Sequence, residues 1–285
     1  EEQDMILKEK GPSGVSPFFA NFALPNSAVG NICIELNIKG RSSTISTGCS
    51  ASSNAIGYAF ECIKYGKFGV IFTGGTESPI SPLVLGTFCA NKSLSRRNNE
   101  PEKASRPFDK HRDGYVLGEG AGIFVLESME NALKRNAKIY AEITGYSSNT
   151  DAYNMFKVDP YGKQAVECFI SACKEAELKP EDVDYINAHG SSSPISDKRE
   201  THVIKQSLGD HSRKVMISSI KSMIGHPLGA SGALQTIASV KAINEGMVPP
   251  TINYEEKDND CDLDYVPNEA RQKKIDIAVI NSLGM

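Results

Sequence analysis

Several kinds of protein are excluded by what this chain does not contain. No apolar run approaches the ~20 residues that a membrane span needs. Neither sign of charge is in large excess: 31 Lys and Arg stand against 35 Asp and Glu, a formal net charge of −4. No basic field of the whole chain therefore attracts nucleic acid, although a local basic patch stays open. The seven cysteines, at 33, 49, 62, 89, 168, 173 and 261, are odd in number and include no Cys-x-x-Cys. That argues against a disulfide framework and against a zinc ribbon, and no other metal site is expected. A reducing compartment is the simpler reading. Low-complexity segments, short-period repeats and heptads are absent. There is no leader pattern at Glu1-Glu2-Gln3-Asp4 and no initiator Met, so the two ends need not be the natural ones.

What remains is a composition ordinary for a globular protein, 40% hydrophobic and 23% charged. A length of 285 residues suits one large domain or two modest ones. Short Val- and Ile-rich runs predict buried strands at 68–72, 121–126, 139–143, 183–186, 215–217 and 275–280. Between them, apolar residues at helical spacing predict helices over 164–176 (Val166, Phe169, Ile170, Cys173) and 233–244 (Leu234, Ile237, Val240, Ile243). Polar stretches at 95–113 and 253–264 read as loops. The order implies an α/β layered fold with a largely buried sheet.

Four segments attract chemical attention. The first runs from Ser46 to Gly57. A short strand at 43–47 is expected to turn abruptly into a helix, with Cys49 at its start. Unpaired N–H groups and the helix dipole favour a thiolate there, as a strand–turn–helix elbow exposes a nucleophile in other enzymes. The bland alternative is a small buried hydrophobe, which describes most cysteines. The second is Asn187-Ala188-His189-Gly190-Ser191-Ser192-Ser193, where His189 follows a strand end and three hydroxyls stand ready for a polar ligand or a helix cap. The third, 218–233, carries Lys221 and His226 ahead of a small-residue helix start. His226 is expected to be neutral there; helix packing beside a solvated lysine is the plainer alternative. The fourth, Gly118-Glu119-Gly120-Ala121-Gly122, precedes a strand rather than a helix, so it reads as a turn and not as a nucleotide loop. One cysteine and two histidines suggest acyl transfer through a thioester, with the imidazoles donating to a developing enolate or oxyanion. A papain-like protease fits poorly, because its cysteine motif is absent and Lys221 and His226 would be left unexplained.

Cys49 in its small-residue setting, His189-Gly190-Ser191 and Lys221-x-x-x-Gly225-His226 resemble the Cys-His-His ketosynthases of the thiolase-like superfamily. The flanks, among them Arg106-Pro107-Phe108-Asp109, Val248-Pro249-Pro250-Thr251-Ile252-Asn253 and Cys261-Asp262-Leu263-Asp264-Tyr265-Val266-Pro267-Asn268, are most similar to the β-ketoacyl-[acyl-carrier-protein] synthases of type II. The resemblance implies a five-layered αβαβα fold of two related halves, 1–145 and 146–285, in a homodimer, with the N-terminal part and the last strands missing from this chain. It implies decarboxylative Claisen condensation of an acyl thioester with malonyl-acyl carrier protein in fatty acid elongation. Cys49 would be the acylated nucleophile; His189 and His226 would assist decarboxylation, and Lys221 would orient them. Ser191 and Ser193 would bond the phosphopantetheine arm, which arrives on the carrier protein, so that no bound cofactor is implied. Phe88 would line the acyl pocket, Met285 would gate it and Lys92 would help dock the carrier. A cytoplasmic location follows, or a plastid-type organelle in a eukaryote. Departures are Gly48 for Ala, Gln235 for a glutamate that pairs with the lysine, and Leu283 and Met285 for phenylalanines of a closing loop. Loss of that glutamate is expected to weaken the hold on Lys221. A polyketide or polyene ketosynthase, then heterodimeric, and a non-catalytic chain-length-factor-like partner remain alternatives; Cys49 speaks against the latter.

Overall fold

Alternating apolar runs and helix-period segments fold as α/β structure in the computed structural model, which describes residues 2–155 and 157–284. The chain partitions into two compact units, Glu1–Ser46 and Thr47–Met285. The first carries α1 (Glu2–Lys10), α2 (Phe19–Ala23) and α3 (Ser27–Glu35). It leaves Phe18, Phe22 and Ile34 exposed.

The second unit holds everything that bears on chemistry. In order it comprises α4 (Ala51–Lys64), β1 (Val70–Glu77), α5 (Pro82–Ala90), β2 (Gly120–Glu127), α6 (Met129–Lys134), α7 (Lys163–Glu175), β3 (Tyr185–Asn187), α8 (Pro194–Leu208), β4 (Met216–Ser218), α9 (Lys221–Ile224), α10 (Ser231–Glu245), β5 (Met247–Val248), β6 (Arg271–Gln272) and β7 (Ala278–Ile280). Local signals start and stop these elements. Pro82 and Pro194 sit in the first turns of α5 and α8, behind Ser81 and Ser193, whose hydroxyls accept N–H groups of Val84 and Ser196. Gly246, in the left-handed region at φ 63°, ends α10.

Parallel strands in the order β4-β3-β7 form the sheet behind the site. Asn187 pairs with Ser218 and with Ile280, so all three strands end level. Their following loops leave from one edge, the place where α/β proteins gather ligand-binding residues. Phe108, Val183, Ile186, Ile204, Ile217 and Tyr265 pack one apolar cluster around this sheet. Tyr185, Met216, Val248 and Ile275 pack a second. No helix among the described residues is long and apolar enough to cross a membrane.

The structure departs from four expectations. Neither 43–47 nor 139–143 is a strand, because no neighbouring strand among the described residues pairs with either. The Tyr140 carbonyl instead accepts the Asn244 side-chain amide at 2.7 Å. β1 and β2 pair antiparallel and are not buried on both faces: Val70, Phe72, Ile123 and Val125 are exposed along one of them. On α7 the apolar stripe buries Phe169 but leaves Ile170 exposed. The glycine string at 118–122 runs into β2, as read from sequence.

Candidate active site

Cys49 lies in a 3₁₀ turn, Gly48–Ser50, that feeds directly into α4. Gly48 takes φ 60°, a conformation open to glycine at no steric cost. Thr47 braces the turn: its carbonyl accepts the Ser50 hydroxyl at 2.9 Å, and its own hydroxyl accepts the Asn54 amide at 2.8 Å. The turn packs against a second one, Leu228–Ala230, which opens α10. The two helices meet at Gly232, where an added Cβ would lie 2.0 Å from Ser53 Oγ and 2.6 Å from the Ser53 nitrogen. The Ser52 hydroxyl accepts the Ala233 N–H across the same contact at 2.9 Å. Cys49 is half-buried, whereas Cys62 and Cys261 are buried. Burial pushes the Cys261 thiol up to about 12.

His189 follows β3 and is almost fully buried. The Glu200 carboxylate accepts the N–H groups of His189 and Gly190, each at 2.7 Å, and the Asn281 amide at 2.7 Å. The ring nitrogen Nδ1 accepts the Leu283 N–H at 3.3 Å. An accepting Nδ1 leaves the ring proton on Nε2, which becomes a donor facing the other way. Burial, then the Lys221 charge and His226, hold this imidazole well below the usual histidine range. His226 is held in the same direction by burial and Lys221. Its backbone N–H donates to the Val116 carbonyl at 2.7 Å, and its Nδ1 meets the Ser231 hydroxyl at 3.0 Å. Both histidines are therefore neutral at pH 7. The cause for His226 is burial more than the helix start named from sequence.

Four rings stand edge to face in a row: Phe88 to Tyr115 with centroids 5.9 Å apart, Tyr115 to His226 at 5.2 Å, and His226 to His189 at 5.2 Å. Lys221, 1% exposed, opens α9 and donates to the His189 carbonyl at 2.7 Å and to Gln235 Oε1 at 3.4 Å. Gln235 thus contacts Lys221 through a neutral oxygen at 3.4 Å, without the charge that a glutamate would bring. Burial pushes the Lys221 ammonium down to about 8; Glu200, Cys49 and Asp197 act against that.

The structure brings Phe88, His189, Lys221 and His226 into one contact network, with Cys49 on the turn beside it. Ser191 is buried next to them. The Ser193 hydroxyl caps α8, the plainer role considered for it. Lys92 is exposed just beyond α5 at φ 60°. Of its basic neighbours, Arg96 is exposed, while Arg97 pairs with Glu100 at 3.4 Å. Met285 lies outside the described residues.

Several residues that hold the site escaped sequence reasoning. Asp197 in the first turn of α8 and Glu200 one turn later resemble ordinary acidic residues of a helix in sequence, yet both are fully buried. Asp197 accepts the Phe108 N–H at 2.9 Å and is pushed up to about 7 by burial, with Arg112 opposing. The signal that was available is their position, directly after the His189 loop. Among the described residues, no group of three or more His, Cys, Asp or Glu side chains is placed to hold a metal ion.

Comparison with known proteins adds an independent view. Residues 1–132 match the family model of the β-ketoacyl synthase N-terminal domain, and residues 140–255 match that of the C-terminal domain. A 3-oxoacyl-[acyl-carrier-protein] synthase 2 of Synechocystis sp. is 49% identical over 284 residues, covering all of this chain and 68% of its own length. Its counterpart in Coxiella burnetii is 49% identical over 278 residues, or 98% of this chain and 67% of its own length. Among solved structures, a ketosynthase in complex with its type II polyketide acyl-carrier protein and bound to a hexaketide superposes with a TM-score of 0.94. It is 39% identical, over 96% of this chain and 68% of that one. The fold is thus the mixed α/β fold of ketosynthases, and the chain spans about two thirds of its relatives' length.

Proposed function

The chain belongs to the β-ketoacyl synthase family, and on that premise we propose that it is an acyltransferase that condenses an acyl thioester with malonyl-acyl carrier protein in fatty acid elongation. The names of its relatives support the reaction and the carrier. One observation carries the reading: two buried, neutral imidazoles meet edge to face beside a buried lysine, on the loop edge that also faces the Cys49 turn.

In the first half-reaction the Cys49 thiolate attacks the acyl-carrier thioester. The new S–acyl bond forms, the old C–S bond breaks, and the phosphopantetheine sulfur leaves as a thiolate that takes a proton from solvent. In the second, malonyl-carrier protein loses carbon dioxide and its electron pair becomes an enolate. His189, donating through Nε2, and His226 stabilise the oxygen of that enolate. The enolate carbon attacks the acyl group, and Cys49 leaves as a thiolate. Such fixed donors act strongly in a water-poor site. Ser191 and Ser193 line the arm of the carrier, Phe88 and Met285 the acyl chain, and Lys92 the carrier surface. No bound cofactor is needed. The two matched domains support a division into related halves near residue 145. A homodimer and a reducing, cytoplasm-like compartment complete the reading. The latter is supported by cysteines that are thiols rather than half-cystines.

The solved structure of a polyketide ketosynthase favours one second reading, the same chemistry on a polyketide chain. A condensation assay on the full-length protein, with malonyl-carrier protein and a panel of acyl-carrier proteins, decides. Saturated acyl chains should be extended with release of carbon dioxide. Turnover of polyketide chains alone would select the second reading, and no turnover with any acyl chain would overturn both.

A further inference from the structure

Gln235 sits on α10 with 1% of its surface exposed. Its Nε2 donates toward three backbone carbonyls, those of Ala188 at 2.8 Å, Asn187 at 3.1 Å and Asn281 at 3.2 Å. These carbonyls belong to the last residue of β3 and to the residues directly after β3 and β7. Three oxygens on one side permit only one setting of the amide, with nitrogen toward them. Oε1 is thereby aimed at Lys221 Nζ. The second contact of that ammonium is again a neutral oxygen, the His189 carbonyl. Lys221 is thus a buried cation whose hydrogen-bond partners among the described residues include no carboxylate.

The charged and titratable groups around Lys221 are occupied elsewhere. From α8, Glu200 binds two backbone N–H groups and Asn281, and Asp197 binds the Phe108 N–H with Arg112 nearby. From the loop after β3 and the segment after α9 come the neutral rings of His189 and His226. From the turn before α4 comes Cys49, whose charge favours that of Lys221.

We infer that Gln235 is a positioning residue that anchors Lys221 through a neutral oxygen, so that the buried ammonium is held by hydrogen bonds to neutral acceptors rather than as half of a fixed ion pair. Its importance for catalysis rests on the function proposed above; its geometry does not. A carboxylate in its place would add a charge beside Nζ and would set an oxygen against three carbonyl oxygens. It would strengthen the ammonium and weaken the clip between the two strand ends at once.

The test is a titration of the full-length protein carrying isotope-labelled lysine, read by NMR at the Lys221 side chain. Its signal is assigned as the one lost in Lys221→Met. The wild type should titrate near pH 8, and a midpoint near the ordinary 10.5 would overturn the inference. In Gln235→Glu the midpoint should rise by about one pH unit or more while Tm falls; an unmoved midpoint in a folded variant would overturn it too. Should that variant not fold, Gln235→Met, which removes the oxygen without adding charge, is expected to lower the midpoint, and a rise would count against the inference. Malonyl decarboxylation by the wild type should lose rate along the same basic limb. If the wild type shows no condensation at all, the proposed function fails, and the NMR midpoints still judge Gln235.

Discussion

Replacing Gly232 with alanine tests how the nucleophile turn is held against the histidines. The new Cβ would stand 2.6 Å from the Ser53 nitrogen, where ordinary contact begins at 3.4 Å. Ser53 Oγ, at 2.0 Å, can rotate away once it gives up its 2.7 Å bond to Ser282, but the backbone nitrogen cannot. The start of α4 and the start of α10 must therefore separate by close to 1 Å. Overpacking of this kind costs about 1–3 kcal/mol, which for a chain of this size lowers Tm by roughly 5 °C. The larger effect is geometric. Cys49 rides on α4, while His226 and Lys221 precede α10 or lie within its packing, so the two halves of the site move apart. Misplacement by about 1 Å can cost on the order of 10²-fold in rate. The assay compares two rates on one protein: alkylation of Cys49 by iodoacetamide, and condensation with malonyl-carrier protein. Alkylation should stay within about threefold of wild type, because the turn itself is intact, while condensation drops on the order of 10²-fold. A Gly232→Ala protein with wild-type Tm and wild-type condensation would refute the argument.

Other outcomes follow from the same geometry. His226→Ala should cost condensation on the order of 10²–10³-fold, as loss of one fixed donor does, and spare radiolabelled acyl transfer to Cys49; equal losses in both half-reactions would contradict the roles given to the histidines. Because both imidazoles are held well below 6.5, the decarboxylation rate should show no acid limb at the ordinary histidine value between pH 6 and 7.5. An acid limb near 6.5 that vanished in His189→Gln would show a titrating His189 instead. A cerulenin-type electrophile should label Cys49 and leave Cys261 unmodified, since burial keeps the latter protonated; peptide mass spectrometry with the adduct on exposed Cys89 would unseat Cys49. Lys92→Glu should raise KM for the carrier protein at low salt, with a smaller effect at high salt, and identical kinetics at low salt would remove Lys92 from the docking surface.

How far the sequence reaches depends on whether a residue's partners are local. The helix after Cys49 was legible because its apolar face repeats at helical spacing and its start is marked by small residues. β3, β4 and β7 were legible as Val- and Ile-rich runs, with starts displaced by one to three residues because the ends depend on pairing. Residues 139–143 carry the same apolar signal yet pair with no strand among the described residues, and composition cannot supply a neighbour. Cys49, His189, Lys221 and His226 stood out through residue type and setting. Glu200 and Asp197 did not, because acidic residues in the first two turns of a helix are ordinary on a solvated face. Only the fold shows that this turn is buried under the His189 loop. Gln235 was visible as a departure from family pattern, but its three carbonyl partners come from the ends of two strands far away in sequence, so its grip on Lys221 was not.

The row of rings from Phe88 through Tyr115 and His226 to His189 ties two design variables together. Tyr115, His226 and His189 are buried, which leaves little slack for one ring to turn alone, and the two imidazoles are also held by the Ser231 hydroxyl and the Leu283 N–H. In the acyl-lining role proposed for Phe88, a substitution made to accept a longer or bulkier chain removes the ring that Tyr115 packs against, and Tyr115 in turn packs against His226. On that proposal, selectivity and turnover are coupled through one row of rings. Engineering at Phe88 has to be accompanied by compensating change at Tyr115, and variants chosen for a new chain length alone should be slow.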